Sequence, residues 1–468
     1  MPGTRGAGVI LAAIAALVAA PSCGGDDARG AGDDAGADGT SSGGSGSGGG
    51  SGGSSGSGGG DASGSSSGGS GGSSGGLGDG AAGSCLGSAM LTAMGRTRLV
   101  VGGSMADATA AAAPFDVRYD YLSGGFFDGT APCASCATGC TAAGKSCANA
   151  AGGCNWWGCW QYDQDPPGAF VRTLAGNCAK ATPPQIPMIS YYQIRSASPG
   201  EGAPEVAQVA DAATMTKYFA DWRFVLQQIG QGVALLHLEP DFWGYAEQAN
   251  GDPHATKAAV TSANATDCGA MEDSVAGMGQ CLVAMAHKYA PHALVALHAS
   301  AWGTNIDVAG NTNPAFDVAG EAQKLATFLA ACGESGADFV VVETSDRDAG
   351  YYQTVQNRNT WWDATNAKLP DFHQDLAWVK ALTEALNKPA LYWQTPLGNA
   401  SQNNTANHYQ DNRVDYFFAH MDELAAAHAV GAVFGAGQSD QTTPETDGGN
   451  FVARAKAYYA AGGQKLCQ

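Results

Sequence analysis

Eight short apolar runs recur between Cys85 and Gln468, and they constrain the fold more than any other feature of the chain. They cover residues 99–102, 117–122, 187–194, 234–239, 294–300, 339–343, 390–394 and 431–435. Most are rich in β-branched or aromatic residues and are bounded by Gly, Pro, Asn or Asp, as buried strands are. Between several of them lie stretches with apolar residues at three-to-four spacing. In residues 211–229 these are Met215, Tyr218, Phe219, Trp222, Val225 and Leu226; residues 271–289, 321–332, 375–386 and 414–428 behave similarly. Strands apolar along their whole length, alternating with amphipathic helices, predict a parallel sheet covered by helices. Eight such units in one domain predict an α/β fold of the (β/α)8 TIM-like barrel type. Two irregularities leave room for a distorted or seven-stranded version. Only an Ala-rich patch, residues 106–114, separates the first two runs, and a long Cys-rich insertion, residues 123–180, separates the second from the third.

The 384 residues from 85 to 468 fit one such barrel domain, and the remainder of the 468-residue chain does not read as a domain. Residues 24–84 hold 28 Gly and 16 Ser, no Pro and almost no apolar side chain. Such a stretch cannot bury enough surface to offset its ordering entropy, and it reads as a flexible tether with an r.m.s. span of about 45 Å. Residues 1–22 carry one basic residue, Arg5, followed by an apolar run over residues 9–20, the pattern of a secretory signal peptide. Ala20-Pro21-Ser22-Cys23 at its end resembles a bacterial lipoprotein signal, in which the Cys is lipidated and becomes the new N-terminus.

The cysteine count agrees with that reading. Of 13 Cys, setting Cys23 aside leaves Cys85, Cys133, Cys136, Cys140, Cys147, Cys154, Cys159, Cys178, Cys268, Cys281, Cys332 and Cys467. Twelve is even and fits six disulfides in an oxidising compartment, with Cys85 and Cys467 placed to close the domain. Cys133, Cys136 and Cys140 have a spacing that zinc could use, but no His lies near, so a disulfide-stapled loop is the better reading. The expected location is the bacterial cell envelope, lipid-anchored at the surface or in the periplasm, or outside the cell. Membrane contact would be through the N-terminal lipid only.

A net charge of −20, from 43 acidic against 23 basic residues, argues against nucleic acid as a partner. No complete dinucleotide fingerprint follows a strand and no G-x-S-x-G elbow is present, so neither a nucleotide cofactor nor a serine hydrolase is expected. The chain is expected to act as a monomer without a cofactor or resident metal.

In barrels of this kind the chemistry sits where strands end. Here the runs end at Asp120, at Tyr192 in Tyr191-Tyr192-Gln193, at His237-Leu238-Glu239-Pro240-Asp241, at His298-Ala299-Ser300-Ala301-Trp302, at Glu343 followed by Asp346-Arg347-Asp348, at Trp393-Gln394, and near Gln438 and Asp440. An apolar strand that terminates in a carboxylate either lines a wet pocket or has a partner, because burying the charge alone is costly. Glu239 and Glu343 are the clearest cases. His237 and Glu239, two residues apart, would share one side of their strand. Eight of ten Trp fall at strand ends or in loops: Trp156, Trp157, Trp160, Trp243, Trp302, Trp361, Trp362 and Trp393. Flat apolar faces beside carboxylates suit sugar rings, and Trp243, Trp302 and Trp393 are the candidate platforms.

Leu238-Glu239-Pro240-Asp241 resembles the strand end of the family 6 glycoside hydrolases, cellobiohydrolases and endoglucanases with a distorted barrel. Gly200-Glu201 upstream, and Cys281, Tyr289 and His298-Ala299-Ser300-Ala301-Trp302-Gly303 downstream, follow in the family's order, so the resemblance spans residues 186–303. It implies a carbohydrate substrate. The family's acid has no counterpart, because residues 192–198 carry no carboxylate. A Glu after strand four is also similar to the large retaining-glycosidase clan, whose nucleophile follows strand seven, where this chain has Gln394.

The expected function is glycoside hydrolysis by two carboxylates, one protonated and one ionised. Glu239 would be the acid and Glu343 or Asp346 the base, with Asp241 beside them and Asp120, Tyr192, His237, Trp243, His298, Trp302, Trp393 and Gln394 binding substrate. Two strands' separation, about 9–10 Å, leans toward inversion. Two alternatives stay open. One is a non-catalytic glycan-binding lipoprotein. The other is a metal-dependent barrel hydrolase or deacetylase using ligands among His237, Glu239, Asp241, His298 and Glu343.

Overall fold

The computed structural model of the protein describes residues 85–123 and 168–467. Cys23, the leader and tether, the six cysteines from Cys133 to Cys159, and Trp156, Trp157 and Trp160 lie outside the described residues.

Eight strands run in chain order: β1 (Val100–Gly103), β2 (Val117–Leu122), β3 (Ile186–Tyr191), β4 (Leu235–Leu238), β5 (Leu294–Ala299), β6 (Val340–Glu343), β7 (Ala390–Thr395) and β8 (Ala429–Phe434). Each pairs in parallel with the next, and β8 pairs with β1, so the sheet closes as a complete eight-stranded (β/α)8 barrel. The irregularity expected at the start is absorbed by short elements. A one-turn helix, Asp107–Ala110, joins β1 to β2, and the helix Ala169–Lys180 leads into β3. The final segment of the stretch read as insertion is therefore an ordinary crossover helix.

Alternation along the strands sorts side chains into two cores. The barrel interior holds Val117, Tyr119, Met188, Leu235, Ala296, Val341, Leu391 and Trp393. The layer between barrel and helices holds Leu122, Ile189, Tyr191, Leu236, Leu238, Val295, Val340 and Tyr392 with the apolar faces of the helices. Helix starts are fixed by local chemistry. Asp211, Ser274, Asp317 and Asp371 each accept a hydrogen bond from the backbone N–H three residues on, at 2.8, 3.1, 2.9 and 2.8 Å. These caps set the helices Ala212–Ile229, Val275–Tyr289, Val318–Ala331 and Phe372–Leu386.

Disulfides join Cys85 to Cys467, closing the two ends of the barrel on each other, and Cys268 to Cys281. Cys178 and Cys332 are buried and unpaired, so the expectation that all twelve domain cysteines form six disulfides does not hold. Both thiols are pushed up by burial, Cys178 to about 11, and pack as small apolar groups. No described helix is long and apolar enough to cross a membrane.

Candidate active site

The carboxyl ends of the strands gather a polar cluster on the barrel axis. At its base is a chain of side chains from the barrel interior. Ser190 Oγ lies 3.2 Å from His237 Nδ1, and His237 Nε2 lies 3.0 Å from His298 Nδ1. Both rings sit edge-on to Trp393, at 4.6 and 5.7 Å. Burial lowers both imidazoles, His237 well below the usual range and His298 to about 4. They are neutral at pH 7, and the hydrogen bond between them needs only one proton.

Above His298 stand Asp241 and Glu343. One donor atom from each of the three residues lies within 4.8 Å of the other two, and His298 Nε2 is 3.8 Å from Glu343 Oε1. Burial pushes Asp241 and Glu343 each up to about 8. Glu343 adds to the rise at Asp241, which His298 opposes, and Asp346 adds to the rise at Glu343. Neither carboxylate is tied to a backbone N–H of the described residues.

The turn after β4 decides which acid enters this cluster. Glu239 and Asp241 both adopt positive φ, 45° and 67°, on either side of Pro240. Such backbone is strained for residues with a Cβ and persists only where surroundings enforce it. It swings Glu239 off the inward face that His237 occupies. Glu239 is fully buried, and its two oxygens accept from the backbone N–H groups of Gln193 and Ile194 at 3.1 and 3.2 Å, with the Tyr218 hydroxyl also facing it. It holds the start of the segment after β3. The expectation that His237 and Glu239 share a side fails for this reason, and Glu239, expected as the acid, lies against the backbone after β3 and not in the cluster with Asp241 and Glu343. Asp241 takes the place at the mouth.

The other candidate residues divide similarly. Trp393 and Gln394 are at the floor, with Gln394 accepting from the Tyr121 hydroxyl and Tyr121 packed at 5.6 Å on Trp393. Tyr192 stands 6.3 Å from Tyr121. Trp302 is half-buried and pairs with Tyr245 at 4.8 Å, and Tyr245 feels the charge of Asp241 and Glu343. Asp346 joins the rim but is held by Arg347 at 2.6 Å and by the Tyr352 hydroxyl. Trp243 is not a platform: it is fully buried, and its indole N–H donates to Leu238 O at 2.9 Å. Asp120 is not in the cluster either. Tyr119 and Tyr121 take the inward positions of β2, so Asp120 faces the outer layer near Arg118 and Cys178. Tyr121 and Tyr245 were missed at the level of sequence. The alternation of β2 could have found Tyr121, since Val117 and Tyr119 set the inward parity.

No family profile and no curated protein sequence matches the chain. Among solved structures, the barrel is similar to an endo-β-1,4-mannanase of Cellulomonas fimi from glycoside hydrolase family 26, with TM-score 0.45 and 11% identity over 78% of this chain and 70% of that one. It is similar to an endo-glycoceramidase of Rhodococcus, with TM-score 0.41 and 10% identity over 78% and 79%. A cellobiohydrolase of Humicola insolens aligns with TM-score 0.29 and 16% identity over 51% and 61%. These are likenesses of fold.

Proposed function

We propose that the barrel mouth hydrolyses a glycosidic bond in a poly- or oligosaccharide, with Asp241 and Glu343 as the working carboxylates. One observation carries this reading: two carboxylates from the ends of β4 and β6 face each other within 4.8 Å, beside a neutral imidazole and free of structural hydrogen bonds to backbone. Both carboxyls are raised to about 8 and like charges so close do not ionise together, so the pair enters its one-proton form near that pH. That is an acid and a nucleophile in one pair. A separation of about 5–5.5 Å belongs to retaining glycosidases and about 6.5–9.5 Å to inverting ones, so the geometry supports retention. Asp241, beside His298, is the nucleophile that bonds to the anomeric carbon. Glu343, whose proton Asp346 helps to keep, gives that proton to the departing glycosidic oxygen. Water deprotonated by Glu343 then releases the sugar from Asp241. Tyr192, Tyr245 and Trp302 offer ring faces for the sugar's C–H surface.

The test is a panel of β-glucans, mannans, galactans and chitin assayed for released reducing sugar, with NMR of the first anomer formed. Release of the anomer with retained configuration is expected. Retention on insoluble polysaccharide with no release would instead assign the barrel as a glycan-binding protein.

The same proposal places the enzyme in the cell envelope on a lipid at Cys23, as a monomer. The disulfides Cys85–Cys467 and Cys268–Cys281 support an oxidising compartment. Cys23→Ser should abolish incorporation of labelled fatty acid, and light scattering should give the mass of one chain.

A further inference from the structure

We propose that Asp241, His298 and Glu343 also form a site for one divalent transition-metal ion, and that its binding switches the hydrolytic pair off. Among the described residues these are the His, Cys, Asp and Glu side chains whose donor atoms converge, all within 4.8 Å of one another. Three points no farther apart than this share a centre within about 2.8 Å of each. Side-chain movements of under about 1 Å then bring the donors to the roughly 2.0–2.2 Å that zinc takes from imidazole and carboxylate.

His298 Nε2 separates this cluster from an ordinary group of acids. It is fully buried, lies 3.8 Å from Glu343 Oε1 and has no hydrogen-bond partner. At that distance it makes no hydrogen bond to the carboxylate. Its other nitrogen is engaged, since Ser190 Oγ, His237 and His298 Nδ1 form one relay in which either direction of donation satisfies every ring nitrogen except His298 Nε2. With His298 Nδ1–H donating to His237 Nε2 and His237 Nδ1–H donating to Ser190 Oγ, the direction a metal ion requires, His298 Nε2 presents a lone pair to the two acids. A metal-ligating imidazole is held in this way, its second nitrogen engaged so that ring and tautomer are set in advance. A buried polar atom left without a partner costs free energy until something fills it. His237 and Glu239, which the sequence offers as further ligands, are excluded: the ring nitrogens of His237 are engaged in the chain, and the oxygens of Glu239 accept from backbone.

Two carboxylates and one imidazole make a donor set of intermediate softness. It suits zinc and its first-row neighbours better than magnesium or calcium, which prefer oxygen alone. An ion held between Asp241 and Glu343 occupies the carboxylate oxygens that would otherwise reach the sugar, so neither is left for the glycosidic bond. This inhibitory half rests on the hydrolase reading, whereas the binding half stands without it.

The experiment is equilibrium dialysis of the full chain against zinc after chelator treatment, with the visible spectrum of the cobalt-loaded protein as a second readout. Binding of one ion per chain is expected, with affinity lowered at least tenfold in His298→Gln, Asp241→Asn and Glu343→Gln and with cobalt bands that change in each variant. Thermal melts show whether each variant is folded. His373 and His420, which both approach Glu423, are the competing site away from the barrel mouth. Ion binding that survives in folded His298→Gln but disappears in His373→Ala/His420→Ala would overturn the proposal, as would the lack of any saturable binding. If zinc binds as expected but no glycan is cleaved, the metal site stands and the hydrolase reading fails. If glycan is cleaved and zinc binding leaves the rate unchanged, the inhibitory half is wrong.

Discussion

Buried carboxylates in the layer outside the barrel and those at its mouth share a chain and a charge but not a fate. Outside, four of them have donors. Glu334 accepts from Leu297 N–H at 2.9 Å, Asp375 from the Tyr392 hydroxyl at 2.7 Å, Asp221 from the Tyr191 hydroxyl at 2.8 Å, and Glu239 from two backbone N–H groups. At the mouth, Asp241 and Glu343 face each other and an imidazole nitrogen with no partner. A paired acid fixes backbone, whereas an acid facing its own kind stores a proton and awaits a ligand. Asp241 and Glu239 are two residues apart, so the difference is one of direction and not of location along the chain.

Four substitutions test that division, from the largest effect to the smallest. Asp241→Asn or Glu343→Gln should lower glycan hydrolysis by about 10³-fold or more, while the melting temperature changes little. If activity survives in both, the mouth pair is not the catalytic pair. Glu239→Ala should do the reverse. Stripping the acceptor from two buried N–H groups costs about 2–4 kcal/mol of stability, read by urea unfolding, while the folded fraction keeps most of its kcat. A stable but inactive Glu239→Ala protein would return Glu239 to the mechanism. Trp302→Ala should raise KM about tenfold through lost stacking, with a smaller change in kcat; an unchanged KM would remove Trp302 from the sugar path.

Glu247 supplies the mildest test. It lies on the helix Phe242–Ala249, and burial, with Glu321 adding, pushes it up to about 7. A carboxyl raised in the folded state contributes stability that is complete below its unfolded value and is lost as pH rises through the folded one. Glu247→Gln should therefore match the native chain near pH 4 and exceed it by about 1–2 kcal/mol at pH 8. A constant gap across pH in thermal melts would show that Glu247 does not titrate in that range.

Much of this architecture is legible in the residues. All eight strands coincide with the apolar runs to within a few residues, because a strand buried on both faces must be apolar throughout and is bounded by turn formers. Four of the longer helices begin where Asp or Ser caps them, which is also a local property. The site was legible only as a set. Glu343, His298, Trp302 and Asp241 were marked by standing at strand ends. Choosing between Glu239 and Asp241, or between Asp120 and Tyr121, needed the direction of each side chain. Alternation gives that direction within a strand but not across a turn. Cys178 and Cys332 show the same limit: an even count of cysteines permits pairing, and only proximity makes it.

The sequence by itself determined the barrel and the ring of polar strand ends, since both follow from local periodicity and from the cost of burying apolar and charged groups wrongly. Only the tertiary structure decided which acids are structural and which are reactive. Two positive-φ residues around Pro240 turn one carboxylate onto the backbone after β3 and the other onto the barrel axis. That outcome depends on a turn tied to β3 and the backbone just after it, where Glu239 N–H donates to Tyr191 O and the Glu239 carboxylate accepts from Gln193 and Ile194, partners distant in the chain.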